Sequence, residues 1–302
     1  MTGETRAGFV ALTGRPNVGK STLLNHLVEA TIAITSPKPQ TTRHVIRGVT
    51  TRGGTQFVFF DTPGMHRPKD LLGGVMMKDV NAVISDADAV ILLVEANARP
   101  TADDVEQLLL RKISAEGTPA VLAFNKIDRQ DKTGILPLIE HYRTFDCIKA
   151  FVPISAATGE GVDVLLSELA PLLPEQAWLF DEDDYTDQTE RDLAAELIRR
   201  ELVCQLREEL PYGMAVQITS FAESAARSGG RRVKIEADIV CDRQNHKGMV
   251  VGRKGERIKA VGQAARASLT ELLEAEVTLL LQVRVQEKWR DSAAKLSDLG
   301  FR

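Results

Sequence analysis

Short apolar runs recur along the first 170 residues, each closed by turn residues. FVALT (9–13), AVILLVE (89–95), PAVLAFN (119–125) and IKAFVPIS (148–155) are such runs. Residues 45–51 and 56–60 flank Arg52-Gly53-Gly54 and predict a hairpin. Between the runs, residues 20–28, 103–113, 135–142 and 162–169 carry apolar positions at helical spacing. Short buried strands alternating with helices predict an α/β fold, a doubly wound and mostly parallel sheet.

The rhythm then changes. Residues 171–187, PLLPEQAWLFDEDDYTD, contain two prolines and an acidic run and read as a linker. Beyond it, 189–209 reads as a helix. Residues 214–221 and 231–242 alternate as strands around Ser228-Gly229-Gly230, 258–273 is helical, and 277–285 is a strand. This order predicts a smaller α+β domain. The expected boundaries are 1–174 for the first domain, 175–188 for the linker and 189–302 for the second domain with its tail. Trp289 and Phe301 predict that the C-terminal segment packs back on this domain.

Composition narrows the class. The 302 residues are 43% hydrophobic and 26% charged, as in an ordinary globular protein. Cys147, Cys204 and Cys241 lie far apart with no CxxC, which argues against a disulfide framework or zinc site and fits a reducing compartment. MTGETRAG lacks the apolar core of a signal peptide, and the longest apolar run is too short to span a bilayer. The net charge of −4 hides an asymmetry: residues 181–209 balance to −7 and residues 227–266 to +7. A basic patch of that size can attract nucleic acid whatever the sum over the chain.

The chemistry concentrates in two glycine loops. GRPNVGKS (14–21) fits G-x-x-x-x-G-K-[ST] directly after a strand and before a helix, the context that defines a P-loop. Gly14, Arg15, Pro16, Asn17, Val18 and Gly19 form a loop whose N–H groups can wrap phosphates. Lys20 should reach the β- and γ-phosphates, Ser21 should ligate Mg²⁺, and Thr22 completes the set. In FNKID (124–128), the Asp128 carboxylate can accept from guanine N1–H and N2–H₂, which adenine does not offer. Asn125 would brace the loop, and Lys126 would cover the base. Ser155, Ala156 and Ala157 end the next strand, where backbone N–H groups could meet guanine O6. DTPGMH (61–66) offers Asp61 for Mg²⁺ through water, Thr62 and Pro63 beside it, and the Gly64 N–H to sense a γ-phosphate. In QTTRH (40–44), Thr42 or Thr41 is the second Mg²⁺ candidate.

These stretches resemble the translation-factor-like branch of small GTPases. Within it, GRPNVGKS, QTTRH, DTPG, NKID and SAA are similar to the Era family. The resemblance implies GTP and GDP as ligands, Mg²⁺ as cofactor, and K⁺ as a candidate cation at Asn17. One departure from Ras-like enzymes is Met65, which stands where those carry a water-orienting glutamine. Met65 cannot polarise water and His66 is read as an exposed bystander, so slow intrinsic hydrolysis is expected.

The second loop, Gly252-Arg253-Lys254-Gly255, together with the C-terminal element order, resembles a type II KH domain, which clamps single-stranded nucleic acid on a GXXG loop. Lys247, Arg257 and Lys259, with Arg231 and Arg232, would extend the basic footprint. Ile258 and Val261 would floor a groove for bases. With both domains, the resemblance implies binding of the 3′ region of 16S rRNA and a role in assembly of the 30S subunit, by a cytoplasmic monomer. The alternative is a signalling or cell-cycle GTPase whose C-terminal domain docks protein or membrane. Peripheral contact with the inner membrane is carried as a lesser location.

Overall fold

The computed structural model describes residues 5–35, 42–65, 68–99, 105–129, 134–206, 213–226 and 229–301. The chain divides into two compact units, Met1–Arg67 with Met76–Asp187, and Pro68–Val75 with Gln188–Arg302.

In the first unit, six strands form one sheet: β1 (Arg6–Gly14), β2 (Ile46–Arg52), β3 (Thr55–Asp61), β4 (Ala89–Glu95), β5 (Ala120–Asn125) and β6 (Ile148–Pro153). Their order is β2-β3-β1-β4-β5-β6. Only β2 runs antiparallel, paired with β3 through the hairpin; the other neighbours are parallel. The sheet is α/β and mostly parallel, as expected. β4 and β5 are buried along almost their whole length, which is why they read as unbroken apolar runs rather than alternating ones. β1 lies between β3 and β4, so the chain leaves its C-terminal end at the point where successive connections diverge. Ligands bind at such a point in open α/β sheets.

The helices of this unit are α1 (Lys20–Val28), α2 (Leu71–Asp86) from Met76 onward, α3 (Val105–Glu116), α4 (Ile135–Tyr142) and α5 (Val162–Leu169). The sequence reading did not include α2. Leu72, Met76, Val80 and Ile84 are buried at four-residue spacing, the mark of a helix face. Gly73 and Gly74 at its start weaken that signal; the Asp70 carboxylate offsets them by accepting the Gly73 N–H at 2.8 Å. The stretch before residue 188, expected as a linker, is tied to the edge strand of the sheet. Val49 N–H donates to Tyr185 O at 2.9 Å, Thr186 Oγ1 donates to Arg47 O at 2.7 Å, and Arg47 pairs with Asp187. Its acidic residues therefore begin on the first unit.

The second unit contains α6 (Glu190–Gln205), β7 (Met214–Ala225), β8 (Arg231–Cys241), α7 (Gln244–Val251), α8 (Glu256–Leu273), β9 (Glu276–Val285) and α9 (Ala293–Asp298). β8 is central, antiparallel to β7 and parallel to β9. Val233, Ile235, Ala237 and Ile239 alternate into the core. Buried with them are Leu197, Ile198 and Leu202 of α6 and Val261, Ala265, Leu269 and Leu273 of α8. A capping box opens α6: the Thr189 side chain accepts from Asp192 N–H, and Asp192 accepts from Thr189 N–H. Trp289 is fully buried, donates Nε1–H to Gly213 O at 3.2 Å, and stacks on Phe301 at 6.2 Å. The C-terminal segment thus packs back, as the sequence reading expected. Among the described residues, no helix is long and apolar enough to cross a membrane.

Candidate functional site

The end of β1 and the start of α1 build a cleft from backbone. Gly19 lies at φ 109°, and a Cβ there would come within 2.2 Å of Asn125 Nδ2. Glycine is therefore required for the loop to approach the N-K-x-D strand end. Asn125, buried at the end of β5, donates to Val18 O at 2.7 Å and accepts from Ala156 N–H at 2.9 Å. A single amide thus links the P-loop, NKID and SAA. Lys126 Nζ donates to Asn17 O at 2.8 Å and pairs with Glu95 at the end of β4. The Ser155 hydroxyl donates to Asp128 at 2.7 Å and holds that carboxyl below its ordinary value. Asp128 is exposed and ionised, ready to accept from a base.

At the phosphate end, Lys20 is 5% exposed and its ammonium donates to Gly14 O at 3.3 Å and Arg15 O at 3.0 Å. Burial brings its pKa down to about 8, with Asp61 opposing. Ser21 Oγ donates to Asp61 Oδ2 at 2.6 Å and lies 2.8 Å from Thr42 Oγ1, which itself donates to Asp61 at 3.2 Å. Burial pushes the Asp61 carboxyl up, against the opposing pull of Lys20, Ser21 and Thr42. Its other oxygen, Oδ1, is buried with no hydrogen-bond partner among the described residues. Three hard oxygen donors converge beside an unsatisfied carboxylate oxygen, and this donor set fits Mg²⁺. The cavity here is lined by Pro16, Asn17, Gly19, Lys20, Thr42 and Gly64, among others.

The structure therefore brings together Gly14 to Ser21, Asp61, Gly64, Asn125, Lys126, Asp128, Ser155 and Ala156, as well as Thr42. Thr41 and His66 lie outside the described residues. Met65 N–H donates to Gly14 O at 3.1 Å, a backbone link from the DTPG turn to the P-loop beside the Ser21–Asp61 bond. Sequence reasoning missed Ile34 and Thr35, which also line the cavity. It also missed Glu95, whose tether on Lys126 could have been suspected from a lone carboxylate ending an apolar strand.

The second loop lies between α7 and α8. Gly252 lies at φ 74°, and a Cβ there would sit 2.8 Å from the Arg257 Cβ. Lys254 lies in the left-handed region at φ 49°, and Gly255 caps α8. The turn thrusts Arg253 and Lys254 into solvent at the N-terminus of an 18-residue helix, where the dipole favours anions. Arg253, Lys254 and Lys259 have no ion pair or hydrogen bond among the described residues. Arg257 is exposed but donates to Met249 O at 2.6 Å, and Lys247 is half-buried on α7.

Two expectations change. Val261 is fully buried on the core face of α8, so of the proposed groove floor only Ile258 is partly exposed. Arg231 is committed to ion pairs with Glu190 and Glu223 and adds little free charge. The α7 helix, not anticipated from sequence, supplies the N-terminal flank of the loop.

The fold and these two loops define a P-loop GTPase unit followed by a KH unit. A family model described as 50S ribosome-binding GTPase matches residues 9–126, and one described as KH domain matches residues 209–290. The chain is 41% identical over 297 residues to GTPase Era of Ruminiclostridium cellulolyticum, covering 98% of each. It is 42% identical over 300 residues to GTPase Era of Pseudomonas aeruginosa, covering 98% of this chain and 95% of that one. Two solved structures match with TM-score 0.92 and 35% identity, over 98% of this chain and 99% of theirs. One is a point variant of Aquifex aeolicus Era bound to GDP·AlF₄⁻; the other is Era in complex with MgGDPNP and nucleotides 1506–1542 of 16S ribosomal RNA. The chain belongs to the Era family of GTPases.

Proposed function

We propose that this chain hydrolyses GTP with Mg²⁺ and grips the single-stranded 3′ region of 16S rRNA through its KH unit, acting as a cytoplasmic monomer in assembly of the 30S subunit. The observation that carries the reading is the pairing of a guanine-type cleft with an exposed Arg253-Lys254 loop in one chain. That pairing is supported by a full-length relative solved with both MgGDPNP and 16S rRNA.

Lys20 exchanges the Gly14 and Arg15 carbonyls for β- and γ-phosphate oxygens. Ser21 and Thr42 would hold Mg²⁺ directly and Asp61 through water; the ion supplies charge neutralisation at the phosphates. The Gly64 N–H reads the γ-phosphate. Met65 offers no polar group to the attacking water, so backbone groups must orient it, and intrinsic turnover is slow. Asn17 is proposed as a ligand of K⁺ near the phosphates. Turnover should therefore be faster in potassium than in sodium at equal ionic strength, and equal rates would remove the cation from the account.

For the RNA half, Arg253 and Lys254 meet phosphates while the glycines let the backbone close in, and Ile258 offers apolar contact to a base. A fragment of the 16S rRNA 3′ region should bind with log affinity falling linearly in log salt, at a slope of roughly −0.7 per neutralised phosphate. Absence of binding at low salt would contradict the RNA half.

A further inference from the structure

We propose that Glu106 is a positioning residue for the phosphate loop, acting through Arg15 to keep the loop shaped for guanine nucleotide. The proposal rests on the GTP-binding reading and adds a residue that no nucleotide motif contains.

Glu106 sits in the first turn of α3 and is only 4% exposed. Its Oε1 accepts from Arg15 Nε at 2.6 Å. Its Oε2 is buried with no hydrogen-bond partner among the described residues. Both side chains line a recess of about 290 Å³ beside the P-loop, together with Pro16, Val18, Glu95, Arg99 and Tyr142. A buried carboxylate with half its capacity unused is costly, and an apolar residue would fill the same space better. Packing alone does not account for it.

The reason lies in the residue it grips. The Arg15 carbonyl is one of the two that hold the Lys20 ammonium; the other is Gly14 O, which also accepts Met65 N–H. Two residues on, Asn17 is in the left-handed region at φ 63°, with its carbonyl held by Lys126. Lys126 in turn pairs with Glu95. The loop is thus held at Arg15 and at its strained residue Asn17 by two basic side chains, each paired with a carboxylate outside the P-loop. Clamps of this kind lower the ordering cost at binding, because the N–H groups already face the phosphates.

The test compares wild type with Glu106→Gln, Arg15→Lys and the double variant Arg15→Met/Glu106→Leu. Release of fluorescent GDP, KM and kcat for GTP, and the melting temperature would be measured on each. Replacing both charged side chains with apolar ones removes the buried ion and leaves no buried polar atom unpaired at this position, so the double variant should melt close to wild type. It should nonetheless release GDP faster and raise KM, each by roughly threefold to tenfold. Arg15→Lys, which keeps the charge, should recover part of the loss. Wild-type release by the double variant would reduce the pair to fold maintenance and overturn the proposal. So would release rates that simply track melting temperature, or a fall in kcat alone. A wild-type chain that failed to hold GDP would instead sink the GTP-binding reading beneath it.

Discussion

Asn125 shows how much of the nucleotide cleft rests on one amide. Its nitrogen fixes Val18 and its oxygen fixes Ala156, so P-loop and base loop cannot shift independently. Asp128 is held differently: the Ser155 hydroxyl donates to Oδ1 and keeps the carboxyl ionised below the usual carboxylate range, while the exposed Arg129 pairs with Oδ2 at 3.5 Å, a long contact that a base can displace. That chemistry predicts the outcome of Asp128→Asn. An amide can donate to the second carbonyl of xanthine but presents a donor to the guanine N2 amino group. GTP affinity should fall by about 100-fold or more, because the substitution leaves polar groups mismatched, while xanthosine triphosphate should gain affinity. Competition of both nucleotides against fluorescent GDP measures this directly. Unchanged GTP affinity would remove Asp128 from base recognition.

Among the elements, the KH unit is stapled by charge at one corner. Arg231 of β8 binds Glu190 at the start of α6 and holds the Glu190 carboxyl below its ordinary value of 4.5. A carboxylate with a depressed folded pKa contributes stability that is fully present above the unfolded value. That stability is lost as pH falls through the folded pKa. Glu190→Gln should therefore destabilise the unit near neutrality, and the difference from wild type should shrink below about pH 4. Thermal melts across pH would show it; a pH-independent difference would assign the loss to packing.

The same scale decides what could be read from sequence. Strands β4 and β5 were legible because burial on both faces leaves an unbroken apolar run. The phosphate loop was legible because its spacing is dictated by a ligand. Helix α2 was not, because Gly73 and Gly74 dilute its four-residue period and its cap, Asp70, precedes them. The fate of Arg231 was equally hidden: its partner Glu190 lies 41 positions away, and only the fold brings them together. Val261 failed as a groove residue for a related reason. Its neighbour Ile258 shares its helix, but the rotation of α8 that turns one outward and the other into the core is set by packing on α6 and the sheet.

Across the whole molecule, the charge of −4 conceals two stretches of opposite sign. The acidic stretch starts on the first unit and runs into α6, while the basic stretch surrounds the GXXG turn. Each unit carries its own anion cradle made from glycine, a helix N-terminus and one or two cations. What separates them is burial: Lys20 is enclosed, and its loop is braced by Asn125 and Lys126, whereas Arg253 and Lys254 stand in solvent. An enclosed cradle can exclude water and act on a bound nucleotide; an open one can hold a long polymer. The full-length chain with Arg253→Glu and Lys254→Glu tests that division most directly, by measuring affinity for a 16S rRNA 3′ fragment beside GTP turnover. The account predicts RNA affinity reduced by at least about tenfold at low salt, with turnover in the absence of RNA unchanged. Undiminished RNA affinity in that variant would contradict it.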